Sequence, residues 1–209
     1  MPDQPKVHIV DDDDAVRDSV KLILEAAGFA CATYASAEAL LNSKLSLGQG
    51  CALVDVRMPQ MDGLALLQEL TARRSKLAVI IMTGFADVPL AVRAMKAGAA
   101  DFVEKPCARE MLVAAVERAL AKTAPAQSDD GEKKVAQQRL DTLTQREREV
   151  LELLVVGDPN KVVAHKLGIS PRTVEVYRGR IMEKVQVKSL AALVRVALAA
   201  GTDRSRASP

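Results

Sequence analysis

The chain reads CALVDVRMP from Cys51 to Pro59, a short apolar run that ends in an aspartate and leads into a turn. A continuous apolar run of this length is typical of a strand buried on both faces of a sheet. Similar runs begin at Val7, Cys31 and Val79, and a last short one covers Asp101 to Glu104. Amphipathic helical patterns separate these runs, so the sequence predicts five βα units.

These units predict the fold of the first part of the chain. Residues 5–122 are expected to form an α/β domain, a doubly wound five-stranded parallel sheet with helices on both faces. Small polar residues, Pro125 and Gly131 then indicate a linker at 123–139, in which the stretch 133–139 is either helix or coil. Residues 140–201 are helical throughout and predict a small all-α domain of four helices.

Composition narrows the classes of function. Aromatic residues are 2% of the 209, which argues against an aromatic platform for single-stranded nucleic acid. Three cysteines without a CxxC spacing favour neither a disulfide framework nor a zinc site. The net charge of +2 by itself suggests no polyanionic partner. It is, however, the sum of two opposite charges. Residues 1–122 hold 14 Lys and Arg against 16 Asp and Glu, a net charge of −2, and residues 123–209 hold 15 against 11, a net charge of +4. The second half is basic.

Groups suited to phosphate or metal chemistry follow four of the predicted strands. They are Asp11 and Asp12 after the first strand, Asp55 after the third, Thr83 after the fourth and Lys105 after the fifth. Ligands bind outside the carboxyl ends of the strands in open parallel sheets. Three converging carboxylates would repel one another unless a hard cation such as Mg²⁺ lies between them. One carboxylate could then act as a nucleophile toward a phosphoryl group.

Each residue also has a plainer explanation. The acidic run 11–14 could stabilise the N-terminus of the following helix. Lys105 could be a solvated surface lysine, Thr83 an ordinary strand-end residue and Phe102 a core aromatic. The joint occurrence at four strand ends, in this order, favours a functional site.

Residues 5–122 resemble the receiver domain of bacterial response regulators, a flavodoxin-like fold. The motifs that carry the resemblance are Val10-Asp11-Asp12, Val54-Asp55-Val-Arg-Met-Pro59 with Asp62-Gly63, Met82-Thr83-Gly84 and Phe102-Val-Glu-Lys105-Pro106. The resemblance implies that Asp55 accepts phosphate from a sensor histidine kinase. It also implies that Asp11, Asp12, Asp55 and the main-chain carbonyl of Arg57 bind Mg²⁺. Thr83 and Phe102 would be a switch pair, and Lys105 would precede a cis peptide bond.

The second half contains a helix-turn-helix pattern at about 160–179. A short helix from Lys161, a turn at Gly168 and a long helix from Pro171 to Val185 fit it, with Ser170 as the N-cap of the long helix. At 3.6 residues per turn the long helix has an apolar inner side and a basic outer side that could enter the major groove. The candidate DNA contacts are Lys161, Arg172, Thr173, Glu175, Val176, Arg178, Gly179, Arg180 and Lys184. On charge alone, a solvated basic face fits as well.

Longer phrases in this half resemble the LuxR-type DNA-binding domain. They are Leu143-Thr-Gln-Arg-Glu-Arg-Glu-Val-Leu151, Leu167-Gly-Ile-Ser170, Arg172-Thr-Val-Glu-Val176 and Lys184-Val-Gln-Val-Lys-Ser189. The resemblance implies that the third helix of the domain reads bases and that the fourth helps to pair two copies. Val162-Val163 and Tyr177 depart from the usual pattern, so the preferred base sequence stays open.

A receiver followed by a LuxR-type domain is similar to the NarL/FixJ subfamily of transcription regulators. Several phrases look most like its nitrogen-fixation activators. The resemblance implies a FixL-like kinase that senses oxygen through haem, a homodimer on phosphorylation, promoter DNA and RNA polymerase as partners, and no catalytic turnover beyond self-dephosphorylation. Met1 to Lys6 lack the apolar stretch of a signal peptide, and no apolar run is long enough to span a bilayer, so we expect a cytoplasmic protein.

Two other classes of function remain open from the residues. One is a Mg²⁺-dependent phosphatase with an aspartyl nucleophile, although Arg57 stands where its second acid is expected. The other is a phosphorelay or protein-interaction module that does not bind DNA. Stable phosphorylation and salt-dependent binding to a duplex would separate these classes from a regulator.

Overall fold

The computed structural model describes residues 6–43, 49–84, 88–122 and 129–202. The chain divides into two compact units, one of residues 1–85 with 96–126 and the other of residues 86–95 with 127–209. The sequence-based domain limits of 5–122 and 140–201 stay a prediction.

One parallel sheet carries all five strands of the described residues. They are β1 (Lys6–Val10), β2 (Ala30–Tyr34), β3 (Gly50–Asp55), β4 (Leu77–Thr83) and β5 (Asp101–Glu104). Their order in the sheet is β2-β1-β3-β4-β5, and every neighbouring pair is parallel. This order is that of flavodoxin-like folds. The predicted α/β class and strand number are therefore confirmed.

Helices follow the strands as expected, with ends that differ by a few residues from the sequence-based ones. They are α1 (Asp14–Glu25), α2 (Ala37–Leu41), α3 (Gly63–Ala72), α4 (Val88–Lys96) and α5 (Arg109–Lys122). Capping side chains set three of the starts: Asp13, Ser36 and Asp62 each accept a hydrogen bond from the first turn of α1, α2 and α3.

The sheet is buried on both faces. On one face, alternate strand residues such as Val7, Ile9 and Leu53 pack with Leu24 of α1 and Leu112 of α5 in a single aliphatic cluster. β3 lies in the middle of the sheet and is buried along its whole length. A largely aliphatic core therefore fixes the strand that ends in Asp55.

The C-terminal part of the chain is helical. It contains α6 (Asp129–Asp141), α7 (Gln145–Val156), α8 (Asn160–Leu167), α9 (Pro171–Lys184) and α10 (Leu190–Ala199). The four helices predicted after residue 140 correspond to α7 through α10. The segment that the sequence left open between helix and coil is part of α6, which packs against α10 through buried residues that include Ala136 and Leu140.

Local signals define the helix-turn-helix. Thr144 and Glu147 form a capping box at the start of α7. Gly168 has φ of +64° in the turn after α8, a left-handed conformation that favours glycine. Ser170 caps α9, and Pro171 occupies its first turn. The N-cap predicted for Ser170 is confirmed, and Ser189 caps α10 in the same way.

Within the described ranges, none of the helices has the length and apolar character that a membrane span requires.

Candidate functional site

Strand order brings the predicted acids to one edge of the sheet. β1 and β3 are neighbours, and Val10 of β1 lies opposite Val54 of β3. Asp11 and Asp55 are the next residues in the chain, so they lie side by side at the ends of two adjacent strands. The chain leaves β1 and β3 at the point where the strand order reverses direction, and such a point forms a crevice. Asp11 is 1% exposed and Asp55 is 7% exposed. Two carboxylates are therefore held, almost buried, at the carboxyl edge of the sheet.

Lys105 bridges these two carboxylates. Its Nζ donates to Asp11 Oδ2 and to Asp55 Oδ1, each at 2.5 Å, and the Lys105 side chain is 21% exposed. Burial alone would lower the pKa of Lys105, but the hydrogen bonds and charges of Asp11 and Asp55 outweigh burial and raise it. The group that lies between the two acids here is therefore the Lys105 ammonium, for which the strand-end pattern predicts a contact with phosphoryl oxygens and not with the acids.

The remaining oxygens of both acids are held by the backbone. Asp55 Oδ2 accepts from the main-chain N–H of Arg57 at 2.6 Å, and Asp11 Oδ1 accepts from that of Asp13 at 3.1 Å. The Arg57 side chain is exposed. These backbone donors fix the orientation of both carboxylates.

Asp12 does not join this pair closely. Its side chain is exposed, and among the described residues no three His, Cys, Asp or Glu side chains group tightly enough to hold a metal ion. Mg²⁺ requires fewer protein ligands than this, since it keeps several waters and binds through one or two carboxylates. The carboxylate oxygens of Asp11 and Asp55 are a donor set that fits Mg²⁺.

Thr83 and Phe102 lie near the ends of β4 and β5. Thr83 is 2% exposed, and its carbonyl accepts from the main-chain N–H of Lys105 at 2.7 Å. Phe102 is buried opposite Ile81 in the sheet register. The peptide bond between Lys105 and Pro106 is cis. Pairing of β4 with β5 therefore places Thr83 and Lys105 side by side at the same edge as the acids.

The outer face of α9 carries most of the predicted DNA contacts. Val174 and Ile181 of α9 and the following Val185 are fully buried, as the helical periodicity predicts. On the other side Arg172, Glu175 and Val176 are exposed and line a recess. Gly179 and Arg180 are exposed as well, and so is Lys161 on α8. An apolar inner side and a mixed basic outer side fit a helix that enters a groove of a duplex.

Three of the predicted contacts have surroundings that the sequence did not indicate. Thr173 is half-buried, and its Oγ1 lies 2.8 Å from Ser170 Oγ. Arg178 is half-buried, and its Nε has no hydrogen-bond partner among the described residues. Lys184 donates from Nζ to Glu147 Oε2 at 2.7 Å.

Local sequence indicates only a capping role for Glu147, because Thr144 and Glu147 have the spacing of a capping box. Its side chain is buried, and Oε2 accepts from Thr144 N, Thr144 Oγ1 and Lys184 Nζ. The capping box was a readable signal, but the ion pair was not, because its partners are far apart in the sequence.

Family comparisons agree with this geometry. Residues 7–117 match the response regulator receiver domain, and residues 141–197 match the bacterial regulatory proteins of the luxR family. The transcriptional regulatory protein FixJ of Azorhizobium caulinodans is 51% identical over 201 residues, which are 96% of this chain and 95% of that protein. FixJ of Rhizobium meliloti is 46% identical over 93% of this chain and 96% of its own length.

Solved structures show the same likeness. Full-length FixJ from B. japonicum is 44% identical, with a TM-score of 0.55 over 94% of this chain and 97% of that one. The response regulator StyR is 38% identical, also with a TM-score of 0.55, over 94% of this chain and 99% of that one. A receiver joined to a helix-turn-helix domain implies a sensor kinase partner and DNA binding. The chain therefore belongs to the FixJ-like response regulators and is a phosphorylation-dependent transcription regulator, not an enzyme.

Proposed function

We propose that Asp55 is the phosphoacceptor of this regulator and that the phosphoryl group comes from a sensor histidine kinase. The observation that carries the proposal is the bridge from Lys105 to both Asp11 and Asp55 at the carboxyl edge of the sheet. An Asp55 carboxylate oxygen attacks phosphorus while the bond to the donor nitrogen breaks, so the carboxylate acts as a nucleophile.

We propose that Mg²⁺ binds through Asp11, Asp55 and the main-chain carbonyl of Arg57, and that the exposed Asp12 joins them when the ion is present. Receiver domains generally use this ion at the phosphorylation site. When bound, the ion would neutralise charge that develops on the phosphoryl oxygens. The chain supplies the orientation of the nucleophile, because the Arg57 N–H holds the Asp55 carboxylate in place.

Lys105, Thr83 and Phe102 act after the transfer. We assign Lys105 to a phosphoryl oxygen, because its ammonium already lies against Asp55 and can follow the new charge. The Thr83 hydroxyl contacts a second phosphoryl oxygen, and Phe102 fills the space that Thr83 vacates. The result is a shift between two populations of one fold.

The outer face of α9 reads promoter DNA in this proposal. Arg172, Arg178 and Arg180 supply groups that bind guanine or phosphate, and Val176 supplies an apolar contact for a thymine methyl group. Support comes from Arg172 and Arg180, whose side chains are exposed on this face and accessible to a nucleic acid. Lys161, Thr173, Glu175 and Gly179 border the same face, and Lys184 lies at its end.

The wider role follows the FixJ relatives. We propose a FixL-like, haem-containing oxygen sensor as the kinase, nitrogen-fixation genes as targets, a homodimer on phosphorylation and contact with RNA polymerase in the cytoplasm. Hydrolysis of the Asp55 phosphate by the regulator itself would end the signal.

The test of the phosphoacceptor compares the wild type with Asp55→Asn. Both full-length proteins are treated with acetyl phosphate and Mg²⁺, and mass, oligomeric state and promoter affinity are measured. We expect a mass increase of one phosphoryl group, dimerisation and tighter promoter binding for the wild type alone. A variant that gains phosphate and dimerises like the wild type would overturn the assignment.

Asp62→Asn is the matched control for this experiment. Asp62 lies near the same edge, but its carboxylate caps α3 by accepting from Ala65 N at 2.7 Å, which an asparagine oxygen can also do. We expect Asp62→Asn to be phosphorylated like the wild type. Equal loss in both variants would point to a general effect of removing acidic charge.

A further inference from the structure

The first turn of α7 carries three consecutive charged residues that each contact a different helix. Arg146 Nη2 donates to the carbonyl of Leu167, the last residue of α8, at 2.5 Å. Arg148 Nη2 donates to the carbonyl of Leu140 in α6 at 3.0 Å. Glu147 accepts from Lys184, the last residue of α9, at 2.7 Å. One turn of helix therefore fixes the end of α8 and the end of the helix that faces DNA.

Glu147 is the most constrained of the three. Its side chain is 5% exposed, whereas that of Lys184 is 39% exposed. Oε2 also accepts from Thr144 N at 2.8 Å and from Thr144 Oγ1 at 2.9 Å, so the carboxylate cannot turn without breaking the capping box. A buried carboxylate with several donors is a fixed anchor, and the Lys184 ammonium is held against it.

We propose that Glu147 is a positioning residue for DNA recognition and that Lys184 acts through Glu147 and not as a phosphate contact. The pair fixes the C-terminal end of α9 against α7, which sets the orientation of the outer face with Arg172 and Arg178. The Lys184 charge is already balanced by Glu147, so it adds little attraction for a phosphate, and taking the ammonium away from the buried carboxylate would be strongly unfavourable. A small rotation of α9 would move several side chains relative to base edges, so specific binding depends on the pair.

Salt dependence separates the two roles of Lys184. A lysine that neutralises a phosphate contributes about 0.9 to the slope of log affinity against log salt concentration, whereas a positioning pair contributes nothing to that slope. The probes are the duplex that the wild-type protein selects from a random-sequence pool, and the unselected pool itself. Full-length Lys184→Met, Glu147→Gln and the double variant are titrated with both probes by fluorescence anisotropy, with and without acetyl phosphate.

We expect Lys184→Met to bind the selected duplex about tenfold more weakly, given the usual strength of a charged hydrogen bond. The slope and the affinity for the unselected pool should stay as in the wild type. The double variant should bind no more weakly than Glu147→Gln, because the two residues act as one unit. Lys184→Arg should restore most of the affinity, since it keeps both the charge and the donor.

The opposite pattern overturns the proposal. It consists of a slope that falls by about 0.9 in Lys184→Met, equal losses on both probes, and losses that add in the double variant. Lys161→Met, which removes an exposed lysine on α8, provides the comparison for a predicted phosphate contact. Far-ultraviolet circular dichroism checks folding. If Lys184→Met does not fold, the double variant removes both charges and replaces it. The slope of log affinity against log salt concentration is then measured on the double variant.

Discussion

At the scale of single residues, the position of Asp55 depends on the glycine that begins α3. A Cβ built on Gly63 would lie 2.2 Å from the carbonyl oxygen of Asp55 and 3.1 Å from Val54 Cγ1. The Gly63 N–H also donates to the carbonyl of Val56 at 3.0 Å. The chain returns so close to the end of β3 that only a residue without a side chain fits.

Gly63→Ala should therefore damage the site as well as the fold. We expect the free energy of unfolding to fall by about 1–3 kcal/mol, which is the usual cost of overpacking, and phosphorylation by acetyl phosphate to slow. Urea unfolding and phosphate incorporation measure the two effects. Gly84→Ala is the control, because a Cβ there meets nothing within 4 Å. Similar losses in both variants would argue against the steric explanation.

Glu147 gives the helical domain a pH dependence. Burial alone would raise the pKa of Glu147, but the hydrogen bonds from Lys184 and Thr144 and the Lys184 charge outweigh it and lower the pKa. A carboxyl with a lowered pKa stabilises the fold above its unfolded pKa, and this contribution is lost as pH falls through the folded pKa. The difference in unfolding free energy between wild type and Glu147→Gln should therefore be largest near pH 7 and shrink toward pH 3. A difference that stays constant with pH would contradict an ionised Glu147.

At the scale of elements, the hydroxyl group of Ser170 is the N-cap that stabilises the start of α9. Ser170 Oγ accepts from Thr173 N at 3.1 Å, and Pro171 removes one of the N–H groups that would otherwise lack a partner. Ser170→Ala should lower the free energy of unfolding by about 1 kcal/mol, the typical value of an N-cap. Ser189→Ala is the comparison, because Ser189 caps α10 with the same N–H···O distance, 3.1 Å to Ala192 N. An unchanged unfolding midpoint in Ser170→Ala would show that tertiary packing alone holds this end of α9.

Local sequence was sufficient to predict most elements and insufficient for α6. Caps at Ser36, Thr144, Ser170 and Ser189 are short-range signals, and the buried runs of the strands are continuous. The segment from Asp129 to Asp141 contains good helix formers, but it is polar, contains Gly131 and has few apolar positions to define a buried face, so local sequence does not decide between helix and coil. Packing against α10 supplies the missing stabilisation, and such long-range contacts are invisible to a local pattern.

The candidate site likewise has one feature that the sequence predicts and one that it does not. Strand order alone brings Asp11, Asp55, Thr83 and Lys105 to one edge, so their proximity was predictable. That Lys105 binds two carboxylates was not predictable, because side-chain geometry across four strand ends has no sequence signature. The pair of Glu147 and Lys184 was missed for the same reason.

At the scale of the whole molecule, the net charge of +2 is the sum of an acidic half and a basic half that have different functions. The acidic first half holds the carboxylate edge, and the basic second half holds α9. Substitutions on the outer face of α9 should therefore weaken DNA binding without changing phosphorylation. Arg178→Ala tests this division, since the half-buried Arg178 lies on α9 and its Nε has no hydrogen-bond partner among the described residues.

Arg178→Ala should weaken promoter binding by about 1–3 kcal/mol, the usual range for an arginine that contacts a base. Phosphate incorporation at Asp55 should not change, because that chemistry uses Lys105, Asp11 and Asp55. Electrophoretic mobility shift and phosphorylation assays on the same preparation measure both quantities. Arg139→Ala, which removes an exposed arginine from α6, controls for the loss of one positive charge in the basic half. If both variants lose the same affinity, then net charge and not the α9 face accounts for DNA binding, and Arg178 is not a base contact.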